Sequence, residues 1–355
     1  MKIGIIGAGW YGCHIGLLLK GLGMDVKIFE KDDSIFMGAS GLNQYRLHTG
    51  FHYARHYETR KQSREGFSLF LERYPELSAP CKAGNIYAVP RYDSLIDFKT
   101  YKSIMTATDI DFNEMDVPDW LKNVEGCVLT QERIILTDVA NKYFEKKLEN
   151  ELVLNTKITD VRNFESNVEL EDDKENIHNF DYVINCTWGH MLTLHSVFFE
   201  PSLILYYNLK EKDADFPAVT FVDGDLCSIY PMEQLGLFTL SSVPLTPLLR
   251  TEHASEARSF VDNIDSSESA RNIIDKKIPA FEKQITKYLP LFNELFEYAG
   301  NQISIKTKPY GLYDNRSVSM RTSGRVLSIM SGKIDTIFQA GDMVLSHIAR
   351  NSNNE

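Results

Sequence analysis

Basic and aromatic side chains are concentrated in one segment, residues 43–60, of a chain whose formal net charge is −11. Arg46, His48, His52 and Arg55 bring four protonated or protonatable groups close together along the sequence. Arginine can hold a carboxylate through paired hydrogen bonds, and histidine accepts or donates a proton near neutral pH. We therefore predict that this segment binds an anionic group, either a carboxylate or a phosphate, of a small molecule.

A second interpretation applies to part of this segment. His52, His56 and Arg60 could lie on the solvated start of a helix and pair there with Glu58 or Glu65. Exposed ion pairs of that kind contribute little to stability. For these three residues the sequence leaves both interpretations open, whereas for the two groups at the start of the segment we favour ligand binding.

Length and composition narrow the class of protein. The 355 residues suit two domains, and the acidic net charge disfavours nucleic acid as a general partner. The five cysteines lack the spacings of zinc sites or disulfide frameworks, so we predict no metal and a reducing compartment. We also expect a cytoplasmic protein without a membrane span, because no leader-like segment and no apolar run of about 18 residues is present. The cysteines are Cys13, Cys81, Cys127, Cys186 and Cys227.

A dinucleotide-binding fingerprint at the N-terminus precedes the basic segment, residues 43–60, in the sequence. An Ile-rich run at residues 2–6 predicts a strand, and apolar residues at helical spacing follow it. Between them, Gly7 permits a tight turn, Gly9 lets the backbone approach a pyrophosphate, and Gly12 allows close packing of the helix. Glu30, at the end of a second predicted strand, would bind ribose hydroxyls, which favours FAD or NAD over NADP.

Three later motifs extend this pattern, and together they resemble one family. They are Gly38-Ala39-Ser40, the turn Thr187-Trp188-Gly189 after a buried strand, and Ser331-Gly332-Lys333-Ile334-Asp335-Thr336 before a final helix. With the fingerprint, they resemble the D-amino-acid oxidase and glycine/sarcosine oxidase (DAO-like) family of FAD-dependent oxidoreductases along nearly the whole chain. The last motif departs from the family in lacking its glycine-rich string. Some members of the family attach the flavin covalently to a cysteine in the C-terminal third. Because no cysteine follows Cys227 here, the resemblance implies non-covalent FAD.

The resemblance also implies which residues contact the flavoprotein's cofactor. Near the C-terminus, a helix start would point backbone N–H groups at the negative charge of the reduced ring, and Lys333 would add positive charge. The implied cofactor contacts are Gly7, Gly9, Trp10, Tyr11, Gly12, Glu30, Lys31, Ala39, Ser40, Asn43, Arg46, Leu47, His48, Ile158, Thr187, Trp188, Gly189, Gly332, Lys333, Ile334, Asp335 and Thr336.

The implied fold is α/β. A Rossmann-like FAD-binding domain of the glutathione-reductase-2 type would comprise residues 1–75, 128–198 and 305–355. An interleaved mixed-sheet α+β substrate domain would comprise residues 76–127 and 199–304. Sequence patterns predict strands of its sheet at residues 81–89, 203–209, 218–222, 226–230 and 237–242, and helices across 251–300. Residues 351–355 are predicted to be a free polar tail.

The predicted function follows from this arrangement. On the family's fold, Arg46 and His48 would lie near the reactive edge of the flavin, and Tyr230, Tyr313 and Arg316 would complete a substrate pocket. No second GxGxxG motif indicates a nicotinamide site, so the substrate itself would reduce the flavin. We predict oxidation of a C–N bond in an amine or amino-acid group, with oxygen or another acceptor taking the electrons.

Two alternatives stay open at this stage. One is a redox-neutral flavin enzyme, a lyase or mutase, acting on a nucleotide- or sugar-linked substrate. The same basic segment would then bind a phosphate of that substrate. The other is a non-catalytic FAD-binding protein, which only the altered C-terminal motif favours.

Overall fold

The structure, a computed structural model, describes residues 1–192, 197–211, 214–232, 235–264, 268–311 and 316–352. Within it the chain forms two compact units. The first unit comprises Met1–Gly41, Thr137–Val197 and Arg316–Glu355, and the second comprises Leu42–Leu136 and Phe198–Asn315. Tyr313, predicted for the substrate pocket, lies outside the described residues.

The described secondary structure contains eight α-helices and twenty strands. The helices are α1 Trp10–Gly21, α2 Tyr57–Arg73, α3 Phe98–Thr106, α4 Thr137–Lys147, α5 Ala254–Asp262, α6 Glu268–Thr286, α7 Phe292–Leu295 and α8 Ile337–Ser352. The strands are β1 Lys2–Ile6, β2 Asp25–Phe29, β3 Arg46–Leu47, β4 Ser78–Pro80, β5 Asn85–Pro90, β6 Asn113–Met115, β7 Val124–Thr130, β8 Arg133–Ile135, β9 Leu152–Val153, β10 Ile158–Asn163, β11 Val168–Asp172, β12 Ile177–Phe180, β13 Tyr182–Asn185, β14 Val197–Leu209, β15 Ala218–Phe221, β16 Cys227–Met232, β17 Leu237–Ser242, β18 Phe296–Pro309, β19 Ser319–Ser323 and β20 Val326–Met330. Short 3₁₀ turns occupy Phe51–Tyr53, Pro75–Leu77 and Ile334–Thr336.

A six-stranded sheet in the order β19-β20-β13-β1-β2-β9 forms the centre of the first unit. The five strands from β20 to β9 are parallel, and β19 joins β20 as an antiparallel edge strand. Ile3 and Ile5 are completely buried, which explains the continuous apolar run of β1, since a parallel strand is covered on both faces. Helices α1 and α8 pack together, with the His14 and Phe338 rings 4.8 Å apart. The predicted α/β class is confirmed.

The second unit is built on an eight-stranded mixed sheet in the order β18-β14-β17-β16-β15-β5-β7-β6. Its core packs sheet residues such as Leu205 and Ile229 against Phe281 and Phe292 of the helical segment. A small antiparallel sheet, β3-β8-β4, lies in the same unit. The two units divide the chain differently from the predicted domains: residues 42–75, 128–136 and 305–311, predicted for the FAD-binding domain, lie in the second unit.

The structure corrects two further expectations. Residues 296–300 were predicted to be helical but begin β18, although the spacing of Phe292 and Phe296 fits a helix turn. The rings of these two residues stack with centroids 5.1 Å apart, so the apolar pair serves core packing across the change from α7 to β18. Asn351 and Ser352 continue α8 instead of starting a tail, and residues 353–355 lie outside the described chain. In the described part, no helix is long and apolar enough to cross a membrane.

Candidate active site

The predicted cofactor motifs of the first unit meet at one edge of its sheet. Neighbouring strands β20, β13, β1 and β2 are parallel, so their carboxyl ends lie side by side. The turns that follow them contain Ser331–Thr336, Thr187-Trp188-Gly189, the glycine fingerprint and Glu30, respectively. The carboxyl edge of an open parallel sheet is the usual place for a dinucleotide. Topology therefore brings together the motifs that the sequence separates widely.

The fingerprint turn has the shape that a phosphate needs. Gly7 has φ +99°, in the left-handed region that favours glycine, and a Cβ on Gly12 would lie only 1.9 Å from the Gly7 carbonyl oxygen. Gly9 precedes α1 and offers no side-chain cap. Ser40 Oγ accepts a hydrogen bond from Trp10 N–H at 3.1 Å, which places the Gly38-Ala39-Ser40 motif against the helix start. The cradle fits a pyrophosphate at the N-terminus of α1.

Glu30 lies beside this turn and is already hydrogen-bonded. Its Oε2 accepts the Ala8 N–H at 2.8 Å, and its Oε1 accepts the Asp32 N–H at 3.3 Å. Burial raises the pKa of the Glu30 carboxyl, although these backbone hydrogen bonds act in the opposite direction. Each oxygen retains a lone pair, so the carboxylate can still accept a ribose hydroxyl as predicted. Lys31, in contrast, directs its amino group to Asp32.

The C-terminal motif is tied directly to the fingerprint helix. The Tyr11 hydroxyl donates to the Lys333 carbonyl and lies 2.7 Å from Thr336 Oγ1, which in turn lies 2.8 Å from Ser331 Oγ. Burial raises the pKa of Tyr11, so its hydroxyl remains a neutral donor. These contacts join the first and last predicted cofactor motifs into one hydrogen-bonded cluster.

Lys333 has an oppositely charged partner within its own motif. Its Nζ lies 3.0 Å from Asp335 Oδ2, and both side chains are almost completely buried. The positive charge that was expected to face a reduced flavin is therefore neutralised within the motif itself. The backbone N–H groups at the start of α8 remain the available source of positive potential.

The other predicted cofactor contacts fall into two groups. Trp188, with φ +54°, packs on Gly332, where a Cβ would lie 2.7 Å from the indole ring. Thr187 bonds Asn185, and Ile158 is buried in an apolar cluster of the first unit. Asn43 and Leu47 lie in the second unit: Asn43 Oδ1 accepts the Tyr45 N–H, and the Leu47 side chain is completely buried.

In the second unit, Arg46 is anchored to the large sheet. Its terminal nitrogens donate to Thr220 Oγ1 at 3.2 Å and to Ser228 Oγ at 2.5 Å, and its guanidinium lies 4.3 Å above the Tyr230 ring. Its Nε is buried without a hydrogen-bond partner among the described residues. None of the described carboxylates forms an ion pair with it. A half-buried guanidinium with a spare N–H and no counter-ion can bind an anion.

His48 lies in a cluster around a buried carboxylate that sequence reasoning missed. Glu132, 1% exposed, has Oε2 3.3 Å from His48 Nδ1 and accepts the Tyr87 hydroxyl at the same oxygen, at 2.7 Å. Its Oε1 accepts the Thr49 N–H at 2.7 Å. No spacing in the sequence indicated this cluster, because β5, the β7–β8 turn and the residues after β3 each contribute to it.

Comparison with known proteins agrees with this geometry. The family model described as "FAD dependent oxidoreductase", DAO, matches residues 2–237. The chain belongs to this family. A protein named FAD-dependent monooxygenase FPY4, from Fusarium mangiferae, is 47% identical over 350 residues, covering 98% of this chain and 91% of its own. FAD-dependent monooxygenase kojA from Aspergillus flavus is 25% identical, covering 97% and 85%.

Solved structures support the same assignment at the level of the fold. Glycine oxidase from Geobacillus kaustophilus superposes with a TM-score of 0.71 at 14% identity, covering 98% of this chain and 95% of its own. The DAO-family chain is thus an FAD-dependent oxidoreductase that acts on a small molecule together with an electron acceptor. The fingerprint cradle and the cluster of Tyr11 with the C-terminal motif fit FAD as the cofactor.

Three basic groups of residues 43–60 have contacts within the protein. Arg60 is 6% exposed and donates to Thr108 Oγ1 and to the backbone carbonyls of the Phe51–Tyr53 turn region. His56 caps α2 by accepting the Thr59 N–H, and Arg55 pairs with Asp223. Arg60 is buried and its described partners do not include Glu58 or Glu65, which disfavours the solvated pairing that the sequence left open as one of two interpretations.

Tyr230 and Arg316, both predicted to contact substrate, have different surroundings. The Tyr230 ring is completely buried under Arg46, and its hydroxyl accepts the Asn85 amide N–H at 3.1 Å. This geometry supports a structural role for Tyr230 in holding Arg46. Arg316 is half-buried in the first unit, in the segment before β19. Among the described residues, no group of three or more metal ligands occurs, and the five cysteines are free thiols.

The Glu132 cluster predicts a specific dependence of stability on pH. Burial alone would raise the pKa of Glu132, but the charge and hydrogen bond of His48, with the hydrogen bonds from Tyr87 and Thr49, lower it to about 2. Since the folded pKa lies below the ordinary 4.5, this stabilisation is complete above about pH 4.5 and declines as the pH falls towards 2.

We expect the stability advantage of the wild type over Glu132→Gln to shrink by about 2 kcal/mol between about pH 6 and about pH 3, at about 1.4 kcal/mol per tenfold change in proton affinity. Urea denaturation of both proteins at several pH values measures this difference. If the difference in unfolding free energy between the two proteins stays constant with pH, the folded protein does not stabilise the ionised form of Glu132.

Proposed function

We propose that this FAD-dependent oxidoreductase oxidises a C–N bond of an amine or amino-acid group on a small anionic substrate. The observation that carries the proposal is Arg46, a half-buried guanidinium with a buried Nε–H that has no partner among the described residues. A substrate carboxylate or phosphate would accept that N–H and supply the missing negative charge.

The side chains of this unit suit the rest of the reaction. FAD, when bound, accepts the hydride that leaves the substrate carbon. Arg46 would fix the anionic end of the substrate, and its own position is set by Thr220, Ser228 and the Tyr230 ring. His48 would accept the proton that the substrate nitrogen releases. Positioning of this kind, without a strong base, is a large part of flavoenzyme catalysis.

Anaerobic mixing of the FAD-loaded protein with candidate substrates tests the proposal. A panel of amino acids, amines and phosphorylated amines should include members that bleach the flavin spectrum, and an imine or carbonyl product should form. Hydroxy acids of matched size and charge serve as controls for the C–N bond. If only the hydroxy acids bleach the flavin, the enzyme oxidises a C–O bond and the proposed C–N oxidation is wrong.

A second function is monooxygenation, which the names of the two sequence relatives favour. It would require a reductant for the flavin, and no second dinucleotide fingerprint occurs in this sequence. The two reactions separate in ¹⁸O₂: a monooxygenase incorporates one labelled oxygen atom into the product, whereas an oxidase releases labelled hydrogen peroxide. Flavin reduction by NADPH, and not by the substrate, would also favour monooxygenation. Neither the family model nor the two relatives favours the redox-neutral alternative.

Arg46→Met tests the anion-binding role directly. Methionine keeps an unbranched, flexible side chain at this position but removes every donor, so we expect the substrate KM to rise on the order of 10-fold to 100-fold, as for loss of a charged hydrogen bond of about 1.5–3 kcal/mol. The content of FAD should stay at the wild-type level.

Tyr230→Phe is the matched control for this variant, because it leaves the ring under Arg46 and removes only the buried hydroxyl. We expect an unchanged KM for Tyr230→Phe. If Arg46→Met loses FAD while substrate binding by the remaining holoenzyme is normal, Arg46 has a structural role and the anionic substrate is not supported.

We keep cytoplasm as the proposed location. Its support is that all five cysteines are free thiols, as expected for a protein in a reducing compartment.

A further inference from the structure

We infer that Glu132 is a positioning residue that makes His48 the proton acceptor of the reaction. In this assignment Glu132 holds the proton of the imidazole on Nδ1, so that Nε2 carries the lone pair. The inference rests on the proposed function and specifies its substrate: the reacting amine binds as an ammonium ion. One N–H proton passes to His48 Nε2, the hydride leaves the carbon for FAD, and the ammonium becomes an iminium ion of unchanged charge.

The carboxylate of Glu132 is fixed in position by contacts on both oxygens. Oε1 accepts the Thr49 N–H at 2.7 Å and the Thr49 hydroxyl at 3.1 Å. Oε2 accepts the Tyr87 hydroxyl at 2.7 Å and lies 3.3 Å from His48 Nδ1. With the side chain completely buried, these donors leave the carboxylate one orientation, and in it Oε2 faces the imidazole.

Electrostatics decides which tautomer of His48 this arrangement favours. The Thr49 N–H, the Thr49 hydroxyl and the Tyr87 hydroxyl all donate to the carboxylate and so favour its ionised form, which accepts hydrogen bonds but donates none. Nδ1 must therefore carry hydrogen, and in the neutral ring Nε2 is left as the acceptor. The same negative charge stabilises the imidazolium that forms when Nε2 takes a proton, as in other carboxylate–histidine pairs.

Other titratable groups also face His48. The Tyr87 hydroxyl lies 3.4 Å from Nδ1, and burial raises its pKa well above 10, so it acts as a neutral donor. The His52 ring stacks on His48 with centroids 5.9 Å apart, and the Tyr53 ring lies edge-on at 6.1 Å. Burial and the charge of Glu132 raise the pKa of Tyr87, and the nearby Arg46 charge offsets only part of that rise. Glu132 is the carboxylate that contacts the imidazole.

Glu132→Gln separates positioning from packing. The amide oxygen can still accept from Thr49, whereas the amide N–H would donate to His48 Nδ1 and force the ring hydrogen onto Nε2. We expect flavin reduction by substrate to slow on the order of 10²-fold to 10⁴-fold, the range for loss of general base catalysis, with FAD content and substrate affinity within a few-fold of wild type. In the wild type the rate of flavin reduction should fall at acid pH, because a protonated acceptor cannot take the substrate's proton. Glu132→Gln should lack this fall, which is the acid limb of the rate–pH profile.

Two control variants test the specificity of that effect. Thr49→Val removes one hydrogen bond to the same carboxylate without touching His48, and we expect it to slow flavin reduction only a few-fold. His52→Gln removes the neighbouring titratable ring, and it should leave the acid limb in place. His48→Ala should be as slow as Glu132→Gln and should regain rate with added imidazole. A Glu132→Gln enzyme with the wild-type rate and pH profile would overturn the inference.

Nitrogen-15 NMR of histidine-labelled holoenzyme provides a readout without substrate. His48, assigned by loss of its signals in His48→Gln, should show hydrogen on Nδ1 in the wild type and on Nε2 in Glu132→Gln. An Nε2–H tautomer in the wild type overturns the role of Glu132 whatever the substrate is. The expected tautomers, in an enzyme whose flavin no amine bleaches, would instead contradict the proposed C–N oxidation and leave the role of Glu132 supported.

Discussion

Gly12→Ala is expected to yield a protein that no longer retains FAD. The added Cβ would lie 1.9 Å from the Gly7 carbonyl oxygen, and because the backbone fixes the positions of both atoms, no side-chain rotation can relieve the clash. Helix α1 would have to move away from β1, and its first N–H groups would move away from the phosphate cradle. We expect overpacking of this kind to lower the free energy of unfolding by about 1–3 kcal/mol. The ratio of flavin to protein absorbance and the thermal unfolding midpoint measure the two effects.

Gly21→Ala is the matched control on the same helix. A Cβ at Gly21 meets no atom within 4 Å, so only helix propensity changes. Alanine should stabilise α1 there by roughly 0.5–1 kcal/mol with full retention of FAD. If Gly12→Ala binds FAD as well as Gly21→Ala does, the fingerprint turn is not the phosphate cradle of this protein.

The motifs of the first unit could be predicted because each is a local signal. Gly7, Gly9 and Gly12 are required by one turn, and their spacing is visible without the fold. Parallel pairing of β1, β13 and β20 then aligns the turns that follow them. Once the strands before these motifs are identified from the sequence, their parallel pairing is enough to predict that the motifs lie side by side.

The Lys333–Asp335 ion pair could not be predicted from the local sequence. Both residues were recognised in the C-terminal motif, but the sequence does not reveal whether a lysine is paired or free. Burial of both side chains decides the matter, because an unpaired charge there would be too costly. As one member of an ion pair, Lys333 adds less net positive charge to this turn than an unpaired lysine would.

Glu132 and Tyr87 were missed for a different reason. Their contact with His48 depends on β5, on the turn between β7 and β8 and on the residues after β3, and these segments are distant in sequence. The pairing of β3 with β8 brings two of them together. Strand β3 is only two residues long, so no sequence pattern predicts this pairing or the contact of Glu132 with His48.

Lys333→Met should destabilise the first unit strongly. It leaves the Asp335 carboxylate, 1% exposed, without its counter-ion, and among the described residues neither oxygen of that carboxylate has a hydrogen-bond partner. Breaking a buried pair by removing one partner costs about 3–5 kcal/mol, which corresponds to a fall in Tm on the order of 10 °C. The double variant Lys333→Met/Asp335→Leu removes both charges and should recover most of the loss.

The same pair of variants tests whether the C-terminal motif contacts FAD. Lys333→Met leaves a net negative charge in this turn, which would oppose the negative charge that a reduced flavin gains. If the motif faces the ring, the midpoint potential of bound FAD should become more negative in the single variant and return towards the wild-type value in the double variant. Spectroelectrochemical titration of the three holoproteins measures this. A potential that is equal in all three, together with the expected loss of Tm, would assign the ion pair to folding alone and place the flavin ring away from Lys333 and Asp335.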